Sequence, residues 1–300
     1  MSKKYIFSIV GGDLRSMIVA RELIFFGHEV RLYGLGELSF GISGAEICGG
    51  FEASVRGADV ILLPLPVSRD GIHVNMMNGE AVALCDVIDQ AAKNGVGTVL
   101  GGMIPADIHA MAAERGVKII DYYKNEELQL KNALPSAEGA LMIAMEHTDV
   151  TVSGMKALVC GYGRIGKILC SLLSKLGAEV TVAARRDEVL CEAAVCGYKT
   201  VRLNDVYELC DAANNVDVIF NTVPNVIFNQ SIVEKIKHDP LYIEIASNPG
   251  GIDVSAARRA GIQVIFAPSL PGKYAPVSAG KYIFETVVGI LDELEKNERR

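Results

Sequence analysis

Three glycines near the middle of the chain, Gly161, Gly163 and Gly166, have the type and spacing of residues that hold a phosphate group. An apolar run, Ala157 to Val159, precedes them, and apolar residues at helical spacing, Ile168 to Leu176, follow them. In such a strand-to-helix turn the backbone N–H groups approach a pyrophosphate, which rests on the positive end of the helix. Because both flanks fit, we predict a dinucleotide-binding turn rather than an ordinary glycine-rich loop.

The strand after this turn bears on which dinucleotide binds. In an NAD site an acidic residue about twenty residues past the glycines holds the ribose hydroxyls. Here the strand ends in Ala183 and Ala184, and Arg185 and Arg186 follow. A missing carboxylate removes the repulsion of a 2′-phosphate, and arginine can pair with that phosphate bidentately. Surface arginines also follow such strands in NAD enzymes, so the missing acid weighs more, and we predict NADP.

The first half of the chain repeats the spacing of the second. Gly11 precedes Gly27 by sixteen residues, the interval that also separates Gly161 from Gly177. Since any βαβ unit has about this period, the repeat predicts a shared fold and not a duplication.

The chemistry of the first turn differs from that of the second. Asp13 and Ser16 stand at the positions that correspond to Gly163 and Gly166. A side chain at the second glycine blocks the approach of a pyrophosphate, and a carboxylate there repels it. We therefore predict that only the second half holds the dinucleotide and that the first half forms the other wall of a cleft.

Apolar runs alternate with helical patterns along the chain, as is typical of α/β proteins. We predict two doubly wound parallel-sheet (Rossmann-like) domains, joined by interdomain helices, with a cleft between them. The first domain covers residues 1–135 on the substrate or partner side and is completed by a C-terminal helix over 279–300. An interdomain helix over 136–150, capped by Ser136, leads into the NADP-binding domain over 151–278. The predicted strands are residues 5–10, 29–33, 60–63, 96–100 and 117–120, then 156–160, 179–183, 216–221, 241–246 and 263–267.

The composition argues against several classes of protein. A formal charge of −7 and an isoelectric point near 5.4 disfavour nucleic-acid binding. No apolar run approaches the length of a membrane span, and the one after Lys3 and Lys4 is too short for a secretory signal. The seven cysteines lack the spacing of a metal site, so we expect free thiols in a reducing cytoplasm and no bound metal.

Three loops after strands of the second domain have unusual residues, and in a doubly wound sheet the ligand lies at that end of the strands. The loops cover residues 221–224, 246–251 and 267–276. Turn chemistry explains their prolines and glycines but less readily Ser247, Asn248 and Lys273 together. The predicted cofactor-binding residues are Gly161, Gly163, Arg164, Ile165, Gly166, Arg185, Arg186, Thr222, Val223 and Pro224.

Seven segments together point to one protein family. They are residues 10–13, 135–139, 147–149, 161–166, 221–224, 246–251 and 270–273. Through them the chain resembles the A subunit of dipicolinate synthase of spore-forming bacteria over nearly its full length. The glycine turn alone does not distinguish this family from 2-hydroxyacid dehydrogenases, whereas the last two loops, in this order and spacing, do. Tyr162 is a mild departure, because family members often have a smaller apolar residue there.

The resemblance implies an NADP-dependent oxidoreductase that works with the flavoprotein-like B subunit of dipicolinate synthase. Together the two would convert dihydrodipicolinate to pyridine-2,6-dicarboxylate in the cytoplasm of the mother cell during sporulation. We also expect an oligomer. Two other functions stay open: a non-catalytic dinucleotide-binding partner of the B subunit, and a stand-alone NADP-dependent 2-hydroxyacid-type dehydrogenase. The second fits poorly, since Ser247 and Asn248 follow the fifth strand where that family has an arginine, and no histidine follows His238.

A dianionic substrate requires cations or aimed N–H groups in its site. Lys273 is the first candidate for binding a substrate carboxylate and for catalysis, although exposed lysines beside turns are common. Ser247, Asn248 and Arg69 are further candidates for substrate binding. His147, on the predicted interdomain helix, is the candidate for proton transfer, although a histidine at a helix end often serves only the helix dipole.

Overall fold

The computed structural model describes residues 3–299, which form two compact units. The first unit comprises the chain through Lys131 together with the chain from Ala275 onward, and the second is Asn132–Tyr274. Each unit contains one six-stranded sheet in which all the strand pairs are parallel. The prediction of two doubly wound parallel sheets is confirmed.

The first unit alternates strands and helices along the chain. Its elements are β1 (Ile6–Val10), α1 (Leu14–Phe25), β2 (Glu29–Tyr33), β3 (Ala45–Ile47), α2 (Phe51–Val55), β4 (Val60–Leu62), α3 (Leu84–Asn94), β5 (Thr98–Gly101), α4 (Ala106–Glu114) and β6 (Ile119–Asp121), with short 3₁₀ turns at Gly36–Gly41 and Tyr122–Lys124. The strand order is β3-β2-β1-β4-β5-β6. Both faces of β1 are covered, since Phe7 and Ile9 lie in one buried cluster and Val10 in another.

The helix α5 (Glu126–His147) leads the chain from the first unit into the second, and the chain returns to the first unit after Tyr274. Asn125 caps it by accepting a hydrogen bond from the Leu128 N–H at 3.0 Å. The prediction that Ser136 starts this helix is wrong, because the Ser136 hydroxyl donates to the Asn132 carbonyl (2.9 Å) in the middle of it. Pro135 suggested a boundary, yet the helix continues through it.

The second unit repeats the alternation. Its elements are β7 (Lys156–Cys160), α6 (Arg164–Lys175), β8 (Glu179–Ala184), α7 (Asp187–Val195), β9 (Lys199–Arg202), α8 (Val206–Ala213), β10 (Val218–Asn221), α9 (Gln230–Val233), β11 (Leu241–Glu244), α10 (Val254–Ala260), β12 (Val264–Phe266) and α11 (Leu270–Tyr274). The strand order is β12-β11-β10-β7-β8-β9, so the direction of winding reverses between β7 and β10. Ligands bind at such a reversal, outside the carboxyl ends of the strands.

The chain ends in a long helix, α12 (Pro276–Glu298), which packs on α1 in the first unit. A Cβ on Gly280 would lie only 2.6 Å from the Ile18 Cβ and 2.9 Å from the Arg15 carbonyl oxygen. Glycine at this position therefore allows the two helices to approach closely.

Two of the strands, β3 and β9, were absent from the sequence-based prediction. Both lie at sheet edges, and Glu46 and Ile47 of β3 and Lys199 and Arg202 of β9 are exposed. Because an exposed edge strand needs no apolar run, its sequence has no clear strand pattern. Within residues 3–299, no helix has the length and apolar character needed to cross a membrane.

Candidate dinucleotide site

Each of the three glycines after β7 has its own geometric role. Gly161 has a φ of +94°, which the tight turn requires and which favours glycine. Gly163 precedes the first residue of α6, and a Cβ placed on it meets nothing within 4 Å, so this side of the turn is open. A Cβ on Gly166 would overlap the Gly161 carbonyl oxygen, so glycine is needed for the helix to pack on the turn. These are the three roles that glycines have in a pyrophosphate-binding turn.

The loop after β10 packs against this turn. The Thr222 hydroxyl donates to the Cys160 carbonyl at 2.9 Å. A Cβ on Gly161 would lie 2.9 Å from Val223 Cγ2, so the loop and the turn are in close contact. Thr222 and Val223, predicted from the sequence, therefore lie at the glycine turn, and the exposed Pro224 follows them directly.

A pocket of about 470 Å³ adjoins the turn, and its lining includes the two arginines that follow β8. It is lined by Gly161, Tyr162, Gly163, Ala184, Arg185, Arg186, Val189, Leu203 and Val223. Arg185 and Arg186 are exposed and Ala184 is buried, so the strand tip presents cations and no carboxylate. Tyr162 packs its ring on Tyr198, with the ring centroids 6.1 Å apart. The open Gly163 and these cations fit a phosphorylated dinucleotide.

The carboxyl group of Glu244 is buried beneath the loops at the carboxyl ends of the strands. The sequence analysis did not predict this residue. Glu244 ends β11, is 2% exposed and accepts hydrogen bonds from the Asn221 side chain (2.7 Å) and the Gly251 N–H (2.6 Å). Burial raises the pKa of Glu244, and the hydrogen bonds oppose that shift only in part. The available signal was a lone acidic residue within the apolar run from Leu241 to Ala246.

The predicted substrate-binding residues of the second unit follow neighbouring strands. Ser247 and Asn248 are exposed in the loop after β11. Lys273 is exposed in α11, after β12, and its Nζ lies 4.8 Å from the centre of the Tyr274 ring. The segment with Lys273 is a short helix rather than the loop expected from its prolines. Arg69 belongs to the first unit, where it is exposed in the loop after β4.

His147 lies at the amino ends of the strands in the second unit's sheet, whereas the glycine turn lies at their carboxyl ends. It ends α5, with its Nδ1 3.0 Å from the Ile143 carbonyl oxygen. It lines a groove of about 530 Å³ together with Lys156 and Leu241, the first residues of β7 and β11. The glycine turn follows the last residue of β7, at the other end of the strand. This position does not support the prediction that His147 takes part in chemistry there.

The corresponding turn of the first unit is covered by the unit's own chain. Asp13 caps α1, so a carboxylate already lies at the positive end of that helix. The Gly12 N–H donates to the Asn75 carbonyl at 2.8 Å, and a Cβ on Gly11 would lie 2.8 Å from Met76 Cγ. This geometry supports the prediction that the first unit holds no dinucleotide. Among the described residues no group of three or more His, Cys, Asp or Glu side chains could hold a metal ion.

Two protein families match the chain, one in each unit. The family described as the N-terminal domain of the dipicolinate synthase A subunit matches residues 6–123. The family described as "S-adenosyl-L-homocysteine hydrolase, NAD binding domain" matches residues 137–265, and it indicates a nicotinamide dinucleotide as the class of cofactor.

Known proteins match over nearly the whole chain. The dipicolinate synthase A subunit of Bacillus subtilis (strain 168) is 29% identical over 293 residues, which cover 97% of each chain. The crystal structure of the dipicolinate synthase A chain from Bacillus subtilis has a TM-score of 0.85 at 28% identity and covers 99% of each chain. That of the A subunit from Bacillus halodurans has a TM-score of 0.84 at 27% identity and covers 96% of this chain and 97% of its own. Over both of its units, the chain is thus similar to the dipicolinate synthase A subunit.

Proposed function

We propose that this chain is the NADP-binding subunit of a dipicolinate synthase, which acts with a B subunit to convert dihydrodipicolinate to dipicolinate during sporulation. The observation that carries the proposal is the turn at residues 161–166, where each glycine has the geometry that a pyrophosphate requires. The resemblance to the A subunit over both units supports the substrate. Because the name of that relative designates one of several subunits, it also supports a partner chain.

Each group in the second unit has a role in this proposal. The backbone of residues 161–166 and the N-terminus of α6 hold the pyrophosphate, with Arg164 and Ile165 in the first turn of the helix. Arg185 and Arg186 pair with the 2′-phosphate of NADP, and no acidic side chain at the end of β8 opposes it. Aromatisation of the dihydropyridine removes a hydride and a proton; a nicotinamide, when bound, would provide the hydride acceptor, and a base or solvent would take the proton.

The substrate is a dicarboxylate, so its site needs positive charge and N–H or O–H donors. Lys273 is proposed to bind one carboxylate, with Ser247 and Asn248 as additional donors on the loop after the neighbouring strand β11. Arg69 is proposed as a further anchor from the first unit. His147 is not included, because it lies at the amino ends of the strands.

Reconstitution tests the proposed function against the alternatives. The purified chain is assayed with NADP⁺ and dihydrodipicolinate, with and without the B subunit, and both NADPH absorbance and dipicolinate are followed. NADPH formed by this chain alone from dihydrodipicolinate supports the proposal and excludes a non-catalytic partner. Product that forms only with both chains is expected both from the proposal and from a non-catalytic partner, and a hydride-transfer signal from this chain alone then excludes the latter. Turnover of simple 2-hydroxy acids by the chain alone would instead indicate a stand-alone dehydrogenase.

A further inference from the structure

The buried carboxylate of Glu244 is surrounded by hydrogen-bond donors. Oε1 accepts from the Asn221 amide at 2.7 Å and from the Ala246 N–H at 3.2 Å. Oε2 accepts from the Gly251 N–H at 2.6 Å, and the Tyr242 hydroxyl lies within 3.5 Å of it. The side chains of Glu244, Asn221 and Tyr242 are almost completely buried. An ionised carboxylate accepts from all four groups, whereas protonation turns one oxygen into a donor, which among these four groups only the Tyr242 hydroxyl could accept.

Through Asn221 this carboxylate reaches the loop after β10. The Asn221 amide donates to the Val223 carbonyl (2.9 Å), and its oxygen accepts from the Val223 N–H (3.1 Å). Val223 in turn contacts the turn at Gly161. The side chain of Asn221 therefore fixes the backbone of the segment that touches the glycine turn.

Through Gly251 the same carboxylate reaches the loop after β11. A Cβ on Gly251 would overlap the Asn221 amide nitrogen and lie 2.7 Å from the Tyr242 hydroxyl, so the backbone packs directly on the buried side chains. The loop from Ile245 to Gly251, which includes Ser247 and Asn248, is thus anchored at both ends: the Ile245 N–H donates to the Asn221 carbonyl (2.9 Å), and the Gly251 N–H donates to Glu244.

A buried charge is a poor way to gain stability, since the loss of hydration opposes the hydrogen bonds that it makes. These hydrogen bonds instead hold the loops after β10 and β11 in a fixed position relative to each other. Both loops lie at the carboxyl ends of β10 and β11, in the half of the doubly wound sheet that receives the second mononucleotide of a dinucleotide.

We propose that Glu244 is a positioning residue that fixes the loops after β10 and β11 for the nicotinamide half of the cofactor. The adenosine half lies instead toward β8, beside Arg185 and Arg186. This inference rests on the proposed binding of NADP. It predicts that loss of the carboxylate weakens the binding of the whole dinucleotide but spares fragments that contain only the adenosine half.

The substitution Glu244→Gln tests this by direct binding, with NADPH and 2′,5′-ADP as the two probes for the full chain. The amide places a donor opposite the donors of Gly251 and Tyr242, and a mismatched charged hydrogen bond corresponds to about a ten- to hundredfold loss of NADPH affinity. The affinity for 2′,5′-ADP is expected to stay at the wild-type value. Glu179→Gln is the matched control, because Glu179 is exposed at the amino end of β8 and pairs with Lys199; it leaves both affinities unchanged.

The affinities of the wild type and the variant for the two probes distinguish a failure of the proposed function from a failure of the positioning role. Wild-type protein that binds neither probe contradicts the proposed function itself. Wild-type protein that binds both, with a Glu244→Gln variant that keeps full NADPH affinity or loses both probes equally, overturns the positioning role alone. Should Glu244→Gln not fold, Asn221→Ser removes the amide that carries the contact to Val223, and the same comparison of the two probes decides.

Discussion

Arg185 and Arg186 line the same pocket as the glycine turn and directly follow β8, where an NAD site has its acidic residue. Asp187 comes next in the chain, but its carboxylate pairs with Arg202 at 2.6 Å, so its charge is already compensated. At the scale of single residues, we therefore propose that Arg185 and Arg186 distinguish the two nicotinamide dinucleotides.

Replacing both Arg185 and Arg186 by alanine is expected to weaken NADPH binding about ten- to hundredfold, because charge-assisted pairs to the 2′-phosphate are lost. NADH affinity is expected to stay unchanged, since NADH has no phosphate at that position. Titration of both nucleotides by fluorescence measures this selectivity. The double substitution of Arg258 and Arg259, adjacent basic residues at the end of α10, is the control. An equal loss for NADH and NADPH would contradict a 2′-phosphate contact.

Glu244 gives a prediction about pH. Burial raises the pKa of its carboxyl group, so the folded chain binds this proton more tightly than the unfolded chain does. Its contribution to stability is therefore largest in acid and is lost as the pH rises from the ordinary value through the raised pKa. Cofactor binding is expected to have the opposite dependence on pH, because the proposed positioning of the two loops uses the ionised carboxylate.

We therefore expect NADP⁺ affinity to increase as the pH rises through the raised pKa of Glu244, and this step to be absent in Glu244→Gln. Burial raises the pKa of the neighbouring Cys160 and Tyr242 as well, so both stay protonated over the acid range. Calorimetric titration at several pH values measures the step. The difference between wild type and variant removes the titration of the nucleotide itself. Parallel pH profiles for the two proteins would show that Glu244 does not titrate in this range.

At the scale of elements, substitutions in the turn between β7 and α6 distinguish an effect on stability from an effect on nucleotide binding. Gly163→Ala is expected to leave the melting temperature almost unchanged, because the new Cβ meets nothing within 4 Å and the backbone φ of −91° is allowed to any residue. It is expected to abolish NADPH binding, since the methyl group occupies the space for the pyrophosphate. Gly166→Ala is the matched partner: its Cβ would overlap the Gly161 carbonyl, and we expect about 1–3 kcal/mol of destabilisation. Thermal unfolding and NADPH titration of both variants check this, and normal NADPH binding by Gly163→Ala would contradict the proposed site.

The parts of this site that could be predicted from the sequence depend on residues that are adjacent in the chain. The glycine turn follows from the backbone needs of a few adjacent residues, and the arginines follow from their place after a strand. Glu244 was missed because its partners, Asn221 and Gly251, are brought together only by the folding of two neighbouring strands. His147 was assigned by residue type, although its place shortly before β7 already indicates the amino end of that strand. Ser136 was misread because proline usually marks a helix boundary.

At the scale of the whole molecule, two units of the same fold class differ in whether their first turn is open. In the second unit the space beside Gly163 is free, whereas in the first unit Asp13 and the loop at Asn75 and Met76 cover the equivalent position. Of these two turns, both within the described residues, the one in the second unit is therefore the candidate nucleotide site.

A stoichiometry of one NADPH per chain is the expected result of calorimetric titration. Gly163→Ala should remove all of the binding and not half of it, because the corresponding turn of the first unit is covered by Asn75 and Met76. Two nucleotides per chain, or residual binding in Gly163→Ala, would contradict this assignment.

The packing of α12 on α1 has a consequence for how the chain is made. The first unit is interrupted in sequence, and its core includes Ile283, Phe284, Val287 and Leu291 from the last helix. The second unit is one continuous segment, Asn132–Tyr274. During synthesis the ribosome therefore delivers every residue of the second unit before the first unit has its final helix. Translation of the first unit begins before that of the second, yet the first unit completes its folding later, because it depends on a helix that follows the second unit in the chain.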